Sequence, residues 1–243
     1  MSDFEEEYKE KPLTKAVLDY LLDSLKNVVE IYFRPVRTLQ RVKKRPDYIA
    51  PFIFSILLTY AGLNLLKILG DEIYLMEDGS LVTIWESTFA GGIWIIVTLK
   101  MMWAILYWVI SFILLFLMAR LLGSYIEMGS IFSASGFLNS VNFLFATTEA
   151  VHAYLYVLSN PKLILEQTPF TIKGYIPSEA LDFWLKGYYG FHNVYVTFFI
   201  IWGFILTTLI LYMVGELKIK RAIIGSLVSY VGVQLMTLFL PFR

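Results

Sequence analysis

The sequence predicts an all-α integral membrane protein, a bundle of five transmembrane helices with an N-terminal amphipathic cytosolic helix. Three observations carry that reading. Five hydrophobic stretches, residues 49–69, 93–118, 131–158, 191–214 and 222–240, each supply about the 20 residues a helix needs to cross a bilayer. A cationic run, RPVRTLQRVKKR over residues 34–45, lies immediately before the first of them. The chain is also 58% hydrophobic and only 16% charged, with mean hydropathy +0.65, where a soluble domain carries about 25% charged residues.

Taken in order, the N-terminal MSDFEEEYKEK is acidic and lacks the short apolar core of a secretory signal. Leu18, Leu21, Leu22, Leu25 and Val29 then recur at helical spacing, with Lys15, Asp19, Asp23, Lys26 and Glu30 between them. That pattern predicts an amphipathic helix over residues 14–32. Two placements are open: flat on the cytosolic leaflet, or folded over loops of its own bundle. Residues 1–47 form a cytosolic tail and basic approach segment, and residues 48–243 the transmembrane domain.

Charge sets the expected orientation. The flanks assigned to the cytosol hold Arg34, Arg37, Arg41, Lys43, Lys44 and Arg45, then Arg120, then Lys218, Lys220 and Arg221. Opposite them, residues 70–92 contain no Lys or Arg but five acidic residues, Asp71, Glu72, Glu77, Asp78 and Glu86. Basic loops stay inside, so a cell-membrane protein with a cytosolic N-terminus and an extracytosolic C-terminus is expected. Trp85, Trp94, Trp184, Tyr188 and Tyr189 fall near the outer boundary, where amphipathic rings prefer the headgroup layer. Ser178 as N-cap and Gly187 as stop predict a short helix on the outer surface.

The third stretch is unusually polar. Ser135, Asn139, Asn142, Glu149 and His152 share roughly one helical face, opposite Phe137, Leu144 and Val151. Such a stripe must look into the bundle or a wet cavity. At about 1.5 Å per residue, Glu149 lies ~13 Å below the outer end of its span and Lys100 ~10 Å below the end of an antiparallel one. Asn64, His152 and Gln234 also fall in the outer half. An intramembrane polar cluster of Asn64, Lys100, Asn139, Asn142, Glu149, His152 and Gln234 is therefore expected. Lys100 has two outcomes open, pairing with Glu149 or snorkelling to the headgroups. Gly225, Ser229 and Gly232 line one side of the last span, and Gly136 adds a small residue in the third; such residues let helices approach closely.

Little else points to chemistry. Glu149 and His152 have the spacing of two metal ligands on one helix, but a di-iron bundle needs a second such motif. The chain contains two histidines and no cysteine. No His-Glu-x-x-His motif, phosphate-binding glycine loop or nucleophile elbow occurs, so neither an enzyme nor a cofactor is expected. Zero net charge gives no nucleic-acid signal.

Three stretches carry a family resemblance. They are IYFRPVRTLQRVKKRPDYIAPFIFSILL, with Pro35, Pro46 and Pro51, FLMARLLGSYIEMGSIFSASGFLNSVNFLF, with Gly123 and Gly136, and GELKIKRAIIGSLVSYVGVQLMTLFL. Together, from residue 31 to 240, they resemble the YIP-domain family, multi-pass membrane proteins named for interaction with Ypt/Rab GTPases. The Asp-Leu-Tyr-Gly-Pro motif and long N-terminal region of the eukaryotic trafficking members are missing, so the resemblance is to a compact prokaryotic-type member. It implies the fold and topology, without a Rab partner.

Two functions follow as expectations. The first is a non-enzymatic multi-pass membrane protein that organises membrane or partner proteins. Its Arg34, Arg37, Arg41, Lys43, Lys44 and Arg45 would contact anionic headgroups, with another membrane protein or a second copy as partner. The second is a small transporter, channel or lipid-moving protein that uses a polar cavity in the outer half of the bundle.

Overall fold

A computed structural model describes residues 13–77, 80–83, 85–86, 92–159, 163–168, 171–174 and 178–238. The described chain is predominantly helical. Helices α1 (Leu13–Phe33) and α2 (Pro35–Lys44) form a hairpin that leads into α3 (Ile49–Glu72). After α4 (Ile93–Leu121) come α5 (Met128–Gly136) and α6 (Leu138–Ser159), separated by a turn at Phe137, then α7 (Ser178–Leu209) and α8 (Ile219–Leu238). A π-helical segment, Ile210–Val214, closes the end of α7.

Among the described residues, four helical segments are long and apolar enough to cross a membrane: Ile49–Glu72, Ile93–Leu121, Lys186–Val214 and Ile219–Thr237. The expected third span falls on α5 and α6. It is not among the four because Asn139, Asn142, Glu149 and His152 dilute its apolar content. Phe137, expected to face lipid, is instead fully buried. It packs edge-on to Phe54 of α3, with ring centroids 6.1 Å apart.

The loops at the far end of α3 depart from the all-α expectation. Strands β1 (Ile73–Glu77) and β2 (Ser80–Thr83) form an antiparallel hairpin, and β3 (Leu163–Thr168) pairs with β4 (Thr171–Gly174). β1 and β3 run parallel, Ile73 opposite Leu163, which gives one sheet of order β2-β1-β3-β4. The second departure is α7. No surface helix ends at Gly187; the helix continues through it for 32 residues, about 48 Å at a helical rise, more than a bilayer core of ~30 Å requires. The side chains of Ser178 and Trp184 lie outside the described residues, as does Arg243.

At the near end, α1 docks by its polar face. Ser24, Asn27 and Ile31 are buried, whereas Leu18, Leu21, Leu22, Leu25 and Val29 remain between 40% and 58% exposed. Among the described residues, no loop covers the leucine face. Docking rests on Asp47, itself 2% exposed. Its carboxylate accepts from Ser24 Oγ at 2.8 Å and Asn27 Nδ2 at 2.8 Å, and from the backbone N–H groups of Ile49 and Ala50 at 3.0 and 3.1 Å. The last two donors belong to the first turn of α3, whose N–H groups have no intrahelical acceptor. Ser133 of α5 donates to the Asp47 carbonyl at 2.6 Å. Nearby, Tyr32 donates to the Ser140 carbonyl at 3.1 Å, and burial pushes its phenol well above the ordinary range. It stays a donor at any physiological pH.

Close helix approach is built on small residues. A Cβ at Gly136 would lie 2.4 Å from Pro51 Cβ and 2.7 Å from Trp108 Cε2. In α8, Gly225 and Gly232 receive Leu122 and Leu114, and Ser229 Oγ lies 3.4 Å from the Leu114 carbonyl. That seam is spent on contact with α4 inside the chain. Gly123, at φ +90°, ends the α4 C-terminus in the left-handed region that a glycine enters without strain.

Two outcomes are expected in thermal unfolding in a neutral detergent. Gly136→Ala forces Pro51 and Trp108 apart and should destabilise by about 1–3 kcal/mol. Gly190→Ala, on a helical site with nothing within 4 Å, should be neutral or stabilising by up to ~1 kcal/mol. For Asp47, the Asn variant keeps an acceptor but sets an amide against the Asn27 amide, a loss on the order of 1 kcal/mol. Asp47→Ala removes the cap and strands Ser24 and Asn27, about 2–4 kcal/mol. Hydrogen exchange should rise selectively in residues 13–33; unchanged exchange there would show that α1 docks by other means.

Candidate functional site

All five long helices of the bundle wall one cavity of about 410 Å³. Helical spacing supplies each wall. α4 contributes Lys100, Trp103 and Tyr107; α6 contributes Asn142, Phe145 and Glu149; α8 contributes Tyr230, Gln234 and Thr237. α3 adds Thr59 and Gly62, and α7 adds Phe199 and Ile200. The volume falls in the range of small-molecule sites, about 300–1,000 Å³.

Four members of the expected cluster meet here: Lys100, Asn142, Glu149 and Gln234. Lys100 turns into the bundle. Its aliphatic stem passes Gly62 of α3, where a Cβ would lie 3.7 Å from Lys100 Cδ. Lys100 and Glu149 share the cavity, and the ion pair resolved for Glu149 runs elsewhere. Its Oε1 lies 3.2 Å from Nδ1 of His192 on α7.

His192 continues a polar chain. Its Nδ1 is also 2.9 Å from the Tyr195 hydroxyl, which lies 3.2 Å from Nδ1 of His152. With a proton on His192 Nδ1, the Glu149 carboxylate is its acceptor-only neighbour, and the Tyr195 O–H is left to donate to His152. The His152 ring stacks on Tyr188, with centroids 4.6 Å apart and planes 12° from parallel. Phe191 and Tyr156 pack edge-on against it.

Three members of the expected cluster lie outside the cavity walls. His152 sits in that aromatic cluster. Asn139 is fully buried and donates to Ser55 Oγ at 3.0 Å and to the Ala104 carbonyl at 3.1 Å, joining α3, α4 and α6. Asn64 is half-buried on α3 and does not line the space.

Sequence reading passed over Trp103, Tyr107, Tyr230 and His192. The three aromatics look like ordinary apolar residues of membrane helices, yet each carries a polar atom that needs a partner when buried. His192 had a legible signal. His192 and Tyr195 are spaced i, i+3, as are Glu149 and His152, so two antiparallel helices present matching polar pairs.

The cationic run divides at the other end of the molecule. Arg41 pairs with Glu30, Lys43 with Glu216 beyond α7, and Arg45 lies 3.7 Å from Asp23 and over the Tyr20 ring. Arg34, Arg37 and Lys44 are exposed and have no ion-pair partner among the described residues.

Comparison with known families matches the Yip1 domain over residues 29–240, most of the chain, and the chain belongs to that family. The matched region begins inside α1 and takes in α2, so the α1–α2 hairpin and the bundle overlap one family unit. No curated protein and no solved structure gives a match.

The Glu149–His192 contact is testable by a double-mutant cycle. Glu149→Gln, His192→Phe and the double variant should show a coupling of about 0.5–3 kcal/mol in thermal unfolding. Additive losses would mean that the two side chains do not share a proton.

Proposed function

We propose that this Yip1-domain protein is a non-enzymatic membrane organiser. It crosses the bilayer five times, with α1 and α2 on the cytosolic leaflet and the sheet outside. The observation that carries this reading is the inversion of α1. Its polar face is spent on Asp47, and its leucine face stays exposed beside the uncommitted cations Arg34, Arg37 and Lys44.

An apolar stripe flanked by cations matches an anionic lipid surface, to which each basic residue adds about 1 kcal/mol. The same surface would gather a second membrane protein or another copy of the chain. The fifth crossing is α6, whose polar face is lined up with the cavity and so is shielded from hydrocarbon. Loop charge supports the orientation. A second reading, transport or lipid movement through the bundle, is supported by the shared cavity of Lys100 and Glu149.

Single cysteines placed at Ser2 and Ser80 of this cysteine-free chain test the topology. An impermeant thiol reagent on intact cells should label position 80 and spare position 2; the reverse pattern overturns it. Spin labels at Leu21 and Lys26, read in nanodiscs of mixed neutral and anionic lipid, test the surface. Leu21 should be accessible to oxygen and shielded from aqueous nickel, and Lys26 the opposite. Equal accessibility removes the proposed bilayer contact.

A further inference from the structure

Two observations in the bundle belong together. The first is a set of donors in the cavity. Trp103 Nε1 is shut off from solvent and has no hydrogen-bond partner among the described residues; Asn142 Nδ2, also shut off, faces the Tyr107 hydroxyl without a well-formed bond, and both residues line the cavity beside Lys100. Lys100 Nζ makes no hydrogen bond or contact ion pair among the described residues but feels the charge of Glu149 across the cavity, and Glu149 in turn contacts His192. Buried donors without acceptors are rare and unfavourable. Two in one space, beside the Lys100 ammonium, call for an acceptor-rich head.

The second observation is a neighbouring groove of about 550 Å³ between α7 and α8. Apart from Tyr230 and Gln234 its walls are hydrocarbon or phenyl, among them Ile201, Phe204, Leu227 and Val231. Ile200, Tyr230 and Gln234 line both spaces, so the groove and the cavity adjoin across these three side chains. Ile201, Leu227 and Val231 are exposed and face the apolar surroundings of the bundle.

We propose that the two spaces form one site for a single-chain carboxylate amphiphile, a long-chain fatty acid. Its head meets Lys100, Trp103 Nε1 and Asn142 Nδ2, and its chain lies in the α7–α8 groove. Charge selects the head. Lys100 is the one ammonium lining the cavity, and because the Glu149 carboxylate already acts on it, a head with more than one negative charge is disfavoured. The single groove selects a single chain. The proposal rests on the cavity reading and not on the α1 surface.

Tritiated hexadecanoate binding to the full chain, in a neutral glycoside detergent, tests it. Unlabelled hexadecanoate should compete about tenfold better than hexadecan-1-ol, because a site built to bond a polar head rejects the analogue that lacks it. Lys100→Met should abolish that preference, Lys100→Arg retain it, and Trp103→Phe weaken binding several-fold. Val231→Trp should block the groove and remove binding of acid and alcohol alike.

Equal competition by the alcohol overturns the proposal. So does native-like binding by Lys100→Met, or stronger competition by a lysophosphatidylethanolamine of the same chain length. If Lys100→Met fails to run as a single species on size exclusion, Lys100→Arg and Trp103→Phe decide. Leu21→Ser should leave binding unchanged, so failure of the α1 surface and failure of this site are separable.

Discussion

The buried carboxylate of Asp47 is the constraint on which this end of the structure depends. A charge taken out of water is tolerated only where donors surround it. Here they come from two sources, the Ser24 and Asn27 side chains of α1 and the first-turn N–H groups of α3. One carboxylate therefore sets the start of α3 and the rotation of α1 about its axis. Ser133 of α5 completes the joint from the third side. The Lys43–Glu216 pair ties α2 to the turn before α8, and Arg221 donates to the Leu122 carbonyl after α4 at 3.0 Å. The turns on this side of the bundle are thus fastened by polar contacts between elements distant in sequence.

That dependence explains what the sequence could and could not reveal. The helices were legible because apolar runs of helical length leave few alternatives, and the helix over residues 14–32 appears at Leu13–Phe33. The facing of α1 was not legible. Hydrophobic periodicity marks which residues share a face, but not whether that face turns inward, and Asp47 lies 20 or more residues from its α1 donors. The sheet had a local signal: Asp78-Gly79 separates two short β-prone runs, the composition of a two-residue hairpin. Its longer-range half, β1 beside β3, joins segments about 90 residues apart and leaves no periodic trace. The candidate site was read in part. Lys100, Asn142, Glu149 and Gln234 stand out because charge and amide are expensive in a membrane. Trp103, Tyr107 and Tyr230 do not, because their polar atoms are hidden in apolar residue types.

α3 relates the two ends. Asp47 holds its first turn, Gly62 admits the Lys100 stem midway, and Gly70 lies against Trp85 before the chain enters β1. A shift of α3 along its axis would disturb the α1 dock, the cavity wall and the sheet together. Gly136 resists such a shift, since the Pro51 ring of α3 fills the space its missing side chain leaves. Farther along α6, Phe145 and Glu149 meet Tyr195 and His192 of α7, while Ala146 stays packed with Leu58 and Ala61 of α3.

The magnitudes bear on why α1 is inverted. Each hydrogen bond to Asp47 nets about 1.5–3 kcal/mol at most, because water would otherwise satisfy the same groups. Burying a leucine side chain is worth about 1.5–3 kcal/mol, and α1 leaves Leu18, Leu21, Leu22 and Leu25 exposed. The two α1 bonds to Asp47 and the still-exposed half of four leucines are each worth about 3–6 kcal/mol, so in water neither face has a clear claim to the interior. The dock prevails if the leucine face is also removed from water, against hydrocarbon on its outer side. Both faces are then satisfied at once, the polar one by Asp47 and the apolar one by lipid. The α1 orientation thus supports the proposed bilayer contact.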